Sequence, residues 1–82
     1  MNANDERVFR RLAADDWSVR EEAFQELQQQ GSCAVATLVS GAAHRSPRVR
    51  AACIALMDHL ADERCCASLE HALHDDSALV RR

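Results

Sequence analysis

The chain has 82 residues, 48% of them apolar, and a formal charge of −3 in which all ten basic residues are arginine. That length holds one domain at most, and the apolar share excludes a disordered chain. The mild acidity excludes a general electrostatic grip on nucleic acid, and no apolar run approaches the roughly 18 residues of a membrane span. The apolar set is mostly Ala, Leu, Val and Cys, with Trp17, Phe9 and Phe24 as the aromatics. Small side chains at this density suit close helix packing, and one proline with two glycines leaves little punctuation for hairpins. An all-α fold is expected. The opening MNANDERVFRR is charged and has no apolar segment behind it, so no signal peptide is expected. Four cysteines without a secretory signal predict reduced thiols and a cytoplasmic location.

In chain order, the first predicted helix carries Asn4, Val8 and Leu12 on one side, with Asn2 as its cap. Asp16 caps a second, whose Val19, Ala23 and Leu27, followed by Gln30, make one stripe at a period of 3.6. Gly31 marks a turn, Ser32 caps the third helix, and Ala34, Leu38 and Ala42 form its stripe. Ser46 and Pro47 open the fourth, since proline at the first helical position forfeits no hydrogen bond. Its stripe is Val49, Cys53, Met57 and Leu60. Ala61-Asp62 marks the next turn, and Asp62 caps a fifth helix that reaches His74 with Cys65, Leu69 and Leu73 on one face. Ser77 then opens a sixth helix at Val80-Arg81.

These elements repeat. "DWSVREEAFQEL" at 16–27, "SPRVRAACIALM" at 46–57 and "SALVRR" at 77–82 align without gaps, with Val-Arg at 19/20, 49/50 and 80/81. "AVATLVSGA" at 34–42 aligns with "CCASLEHAL" at 65–73 after a one-residue insertion. A helix pair with an exposed apolar stripe cannot bury it alone and must stack on its neighbours. The units are expected at 2–31, 32–61 and an incomplete 62–82, which predicts either the N-terminal part of a longer protein or self-association through open ends. The motif of an apolar residue, a polar stretch with Asp or Pro, then Val-Arg, Ala and Leu resembles HEAT-like repeats of the short, phycobilin-lyase type. Here it stands as "LHDDSALVR" and "SPRVRAACIALM". The resemblance implies an α-solenoid of antiparallel helix pairs, with the second helix of each pair lining an inner surface. It also implies that an Asp six residues before the motif arginine bonds across the stack. Asp75 and Arg81 keep that spacing, His44 stands opposite Arg50, and the first unit has Ala14 beside Asp15 and Asp16. A continuous ladder is therefore not expected, and Arg20, Arg50, Asp75 and Arg81 are expected to be structural.

"RCCASLEHALH" at 64–74 holds metal-ligand residue types without metal-ligand spacing. Adjacent Cys65 and Cys66 diverge by about 100° on a helix, and Cys65 and Cys53 fall in alanine columns of the repeat, which makes them small core residues. No metal and no cofactor is expected. The repeat family includes an iron hydroxylase built on His-Glu pairs; only the reversed Glu70-His71 occurs here, so that activity does not carry over. Neither a glycine-rich phosphate loop nor a G-x-S-x-G elbow is present, and the chain is not expected to be an enzyme.

The positions opposite the buried stripes of the second helices are Glu21, Gln25 and Gln28, then Ala51, Ala55 and Asp58. That surface is neutral to acidic, so the arginines at 7, 10 and 11 and at 45, 48 and 50 read as solvated positions more than as a DNA grip. The expected function is non-catalytic binding of a protein partner on this inner face. The alternatives are an accessory of bilin attachment, which the lyase resemblance implies, and a DNA-binding module of the same repeat type.

Overall fold

The computed structural model describes residues 3–81, with the Arg81 side chain left out. Helices α1 (Ala3–Leu12) and α2 (Trp17–Gln30) form the first antiparallel pair. A 3₁₀ turn at Gly31–Ala34 leads into α3 (Val35–Ala42), which pairs with α4 (Pro47–Leu60). A second 3₁₀ turn, Glu63–Cys65, opens α5 (Cys66–Ala72), and the single turn α6 (Ala78–Arg81) follows. Among the described residues there is no strand. The fold is all-α, as the composition predicts. α4 is central: it touches α1 and α2 on one side, α5 and α6 on the other, and its own partner α3.

Local signals account for the boundaries. Asp16 takes extended angles before α2, and its carboxylate accepts the Ser18 N–H at 2.8 Å. Ser46 is extended before α4, with Pro47 behind it, but its hydroxyl caps nothing. Instead the Ser46 N–H donates to His44 Nδ1 at 3.0 Å. In the next unit Asp75 stands in the His44 place and accepts the Ser77 N–H at 2.9 Å, while the Ser77 hydroxyl accepts from Leu79 at 3.2 Å. Asp62 accepts the Arg64 N–H at 2.9 Å and opens the second 3₁₀ turn. Ser32 does not cap: the 3₁₀ turn already begins at Gly31 and encloses it. The expected Asn2 cap lies outside the described residues. Gly31 and Ala61 both turn through positive φ, 58° and 52°, and the Ala61 N–H closes the end of α4 on the Met57 carbonyl.

The core joins Phe9 and Leu12 of α1, Ala23 and Leu27 of α2, Leu38 of α3, and Val49, Cys53, Leu56 and Met57 of α4. Cys65 closes it at the far end with no exposure. Most of these are the expected stripe positions. The first helices depart from expectation in phase. Seven residues on an α-helix come round to within about 20° of the start, whereas eight overshoot by about 80°. Gly41 and Ala72, seven beyond Ala34 and Cys65, are therefore buried, while Ala42 is half-buried and Leu73 is 65% exposed. In α1 Phe9 turns fully inward beside the expected Leu12; Val8 is half-buried and Asn4 exposed.

At Gly41, α3 approaches the side chains of Cys53 and Phe9 closely. A Cβ there would overlap Cys53 Sγ and meet Phe9 Cε1 at 2.9 Å. No side chain fits in that position without displacing one of the two.

Candidate binding groove

Arg20 and Arg50 each tie down the turn of their own helix pair, and Arg50 also ties one pair to the next. Arg50 donates from one guanidinium nitrogen to the carbonyls of His44 and Arg45, at 2.9 and 3.0 Å. Its other two nitrogens grip both carboxylate oxygens of Asp75, in the following unit, at 2.9 and 3.0 Å. Both side chains are largely withdrawn from water. Arg20 bonds the equivalent carbonyls, Ala14 and Asp15, but the column that supplies Asp75 to Arg50 supplies only His44 to Arg20. The His44 ring instead lies edge-on to Phe9, with centroids 5.3 Å apart. Arg48 bridges the first two pairs more loosely, to the Ala14 carbonyl at 3.1 Å and the Asp15 carboxylate at 3.3 Å. Arg11 of α1 pairs with Glu26 of α2.

With the stack set this way, α2, α4 and α6 line one continuous face. Trp17, Glu21 and Phe24 meet Arg48, Ala51 and Ala52 across a shallow depression that ends on Leu79. From Ala51 and Leu79 it continues into a deeper groove of about 600 Å³, with Ile54, Ala55 and Asp58 on α4 and Leu69, Glu70 and Leu73 on the α5 side. Four of the six expected inner-face residues, Glu21, Ala51, Ala55 and Asp58, line this face. Gln28 follows Phe24 by one turn, exposed and beyond the depression. Gln25 sits elsewhere, in a polar recess with Arg11, Glu22 and Glu26, and hydrogen-bonds Glu21 at 3.2 Å. Helical period puts Gln25 opposite the buried stripe, but the packing of α2 turns Trp17 and Phe24 to this face instead.

Those two aromatics, with Leu73 and Leu79, line the face without belonging to the expected contact set. Trp17 is 68% exposed at the start of a helix, and that exposure is the signal. Among the described residues, three of the four exposed large apolar side chains (Trp17, Leu73 and Leu79) border this one face; Val39 is the fourth. Single exposed apolar residues need no explanation, but three on one contiguous surface do.

The cysteines separate into two classes. Cys53 and Cys65 are buried, Cys33 and Cys66 exposed, and none is bonded to another. Burial pushes the Cys53 thiol up to about 12, and burial with the Asp62 charge nearby raises Cys65. Hydrogen bonds from Arg64 hold the Asp62 carboxyl down at about 2. Among the described residues no three His, Cys, Asp or Glu side chains come together in a metal-holding group, and no helix is long and apolar enough to cross a membrane.

Antiparallel helix pairs stacked through a shared core, with second helices forming one lined face, define an α-solenoid. The family model for HEAT repeats matches residues 6–82, and the chain belongs to that family. The match is to HEAT repeats as a class and does not extend to the phycobilin-lyase type. No curated protein and no solved structure matches the chain.

Proposed function

We propose that this chain is a non-catalytic docking module that holds a protein partner along the face of α2, α4 and α6. The observation that carries the reading is the gathering of Trp17, Leu73 and Leu79 on that face, around the small side chains of Ala51 and Ala55. Aromatic and leucine anchors beside a close-approach surface are what a protein partner desolvates. Among the described residues the groove offers two carboxylates and otherwise hydrocarbon, with no paired nucleophile and base along it. A reducing compartment such as the cytoplasm suits four unbonded cysteines, two of them on the surface.

The test is selection of binders from a displayed peptide library, followed by amide chemical-shift mapping on the labelled chain. The expected result is shifts centred on Trp17, Ala51 and Ala55, abolished by Ala55→Glu with the fold retained. Selected binders that map to α1 and α3, and bind the Ala55→Glu variant equally, would refute the reading.

A further inference from the structure

Resting on that docking reading, we propose that the deeper groove between α4, α5 and α6 takes a basic amphipathic helix. Its apolar side would sit on Ile54, Leu69, Leu73 and Leu79, and its Lys or Arg residues would meet Asp58 and Glu70.

Charge selects the sign of the partner. Asp58 and Glu70 edge the groove, and among the described residues no basic side chain lines it. Neither carboxylate has a hydrogen bond or an ion pair among the described residues, whereas the arginines nearest the face are engaged by carbonyls and by Asp75. A partner that left these acids at the rim of an apolar contact without cations would desolvate them uncompensated.

Backbone chemistry selects the partner's conformation. Every wall of the groove is a helix or its end, whose own peptide groups are paired internally, so there is no sheet edge to extend. The lining side chains are Ala, Ile, Leu and Val apart from the two acids, so an extended peptide would find acceptors for a few N–H groups and no donors for its carbonyls. A helix satisfies its own backbone and presents only side chains. Ala51 and Ala55 let its axis come close.

A second copy of this chain fits less well. Two copies joined face to face would set Asp58 and Glu70 against the same acids. Joined head to tail, α1 would offer Arg7 and Arg10, but its Phe9 and Leu12 are buried and Val8 packs on the core, leaving no apolar anchors.

Three fluorescent peptides of about 18 residues, long enough to be helical on contact, test this by anisotropy at physiological salt. One is a Leu-Lys amphipathic helix, one carries Glu for every Lys, and one scrambles the basic peptide so that its leucines form no stripe. The basic helix should bind about tenfold or more tightly than either control. Asp58→Lys with Glu70→Lys should invert the preference toward the acidic helix, and Leu73→Ser with Leu79→Ser should weaken the basic helix about tenfold. All four residues lie outside the core, so these variants keep the fold, which circular dichroism checks. Equal binding of acidic and basic helices would overturn the charge assignment and leave the docking reading standing. Basic-helix binding unchanged in the charge-reversed variant would place the contact elsewhere and overturn the proposal. Failure of every peptide to bind overturns it as well, while library selection judges the docking reading separately. Sedimentation showing a dimer that dissociates in Leu73→Ser, Leu79→Ser would give the groove to a second copy.

Discussion

Removing Asp75 should loosen the third helix pair from the second. The Arg50–Asp75 contact is bidentate, at 2.9 and 3.0 Å, with the two side chains only 17% and 15% exposed. Breaking a fully buried pair from one side costs about 3–5 kcal/mol, because the remaining charge is stranded. Arg50 would not be wholly stranded, since it keeps the His44 and Arg45 carbonyls. The residual water access and those two bonds bring the expectation for Asp75→Ala to about 2–3 kcal/mol, the range of charged hydrogen bonds. Arg50→Ala loses the carbonyl bonds too and should cost about 3 kcal/mol. A chain of this size has a total stability of roughly 4–12 kcal/mol, so either loss is a large fraction of the whole. The melting temperature should fall by about 10–20 °C. Asp75→Ala also removes the acceptor of the Ser77 N–H, which a double-mutant cycle subtracts. Urea denaturation of the wild type, both single variants and the double variant, followed by far-UV circular dichroism, gives a coupling energy expected at about 1.5–3 kcal/mol and little changed by salt. A coupling below about 0.5 kcal/mol, or one that vanishes in high salt, is the behaviour of an exposed pair, and would refute the ladder reasoning.

Gly41→Ala should destabilise by about 1–3 kcal/mol through overpacking on Cys53 and Phe9; adding Cys53→Ala should recover much of the loss in the same denaturation assay, because it removes the nearest atom. His44→Asp should raise the melting temperature, since it gives Arg20 the carboxylate that Arg50 already has and keeps an acceptor for the Ser46 N–H; a fall would mean that the edge contact with Phe9 outweighs the new pair. The Asp62 carboxyl should titrate at about 2 by carbon NMR, and Arg64→Ala should bring it back toward the ordinary 3.8. Because the folded-state value is the lower one, the contact adds stability in full above 3.8 and loses it as pH falls through about 2. Maleimide at neutral pH should label Cys33 and Cys66 and leave Cys53 and Cys65 unlabelled until the chain unfolds, which mass spectrometry of the peptides reads directly.

The fold was legible because its signals are local and repeated. Asp16, Ser46 and Ser77 stand in one column as N-caps, and Val-Arg recurs three residues after each. The burial of Ala23, Leu27, Val49, Cys53 and Met57 follows from helical period alone. What escaped the pattern depends on how one helix is rotated against another. Leu73 sits in an alanine column of the repeat, and a fixed step of four carries the eye to it, yet the seven-residue return buries Ala72 in its place. Gln25 and Phe24 are adjacent in sequence, and only the packing of α2 on α4 decides which of them faces the groove. His44 could be seen as a break in the carboxylate column, but not that its ring would turn to Phe9 and its Nδ1 to the Ser46 amide.

The two junctions of the stack are held by different forces, and the difference bears on the groove. Between the first and second pairs the apolar contact is dense: Phe9 and Leu12 meet Gly41, Val49 and Cys53, all buried. Among the described residues no counterpart of the Arg50–Asp75 rung stands here, because His44 occupies the column; Arg48 reaches Asp15 more loosely, at 3.3 Å, and Thr37 donates to Asp5 at 2.9 Å. Between the second and third pairs the apolar contact thins to Cys65, Ala72 and Val80, with Leu69 half-buried and Leu73 exposed. There the Arg50–Asp75 pair supplies the directional contact. Hydrophobic burial is non-directional, so a thin apolar junction alone would let α5 and α6 shift against α4. A bidentate pair admits few relative positions. It therefore sets the width of the groove whose two walls are α4 and the α5–α6 pair. Any partner held between those walls gains affinity from their being fixed before it arrives. Loss of the ion pair should on this account weaken partner binding even though neither Arg50 nor Asp75 lines the deeper groove.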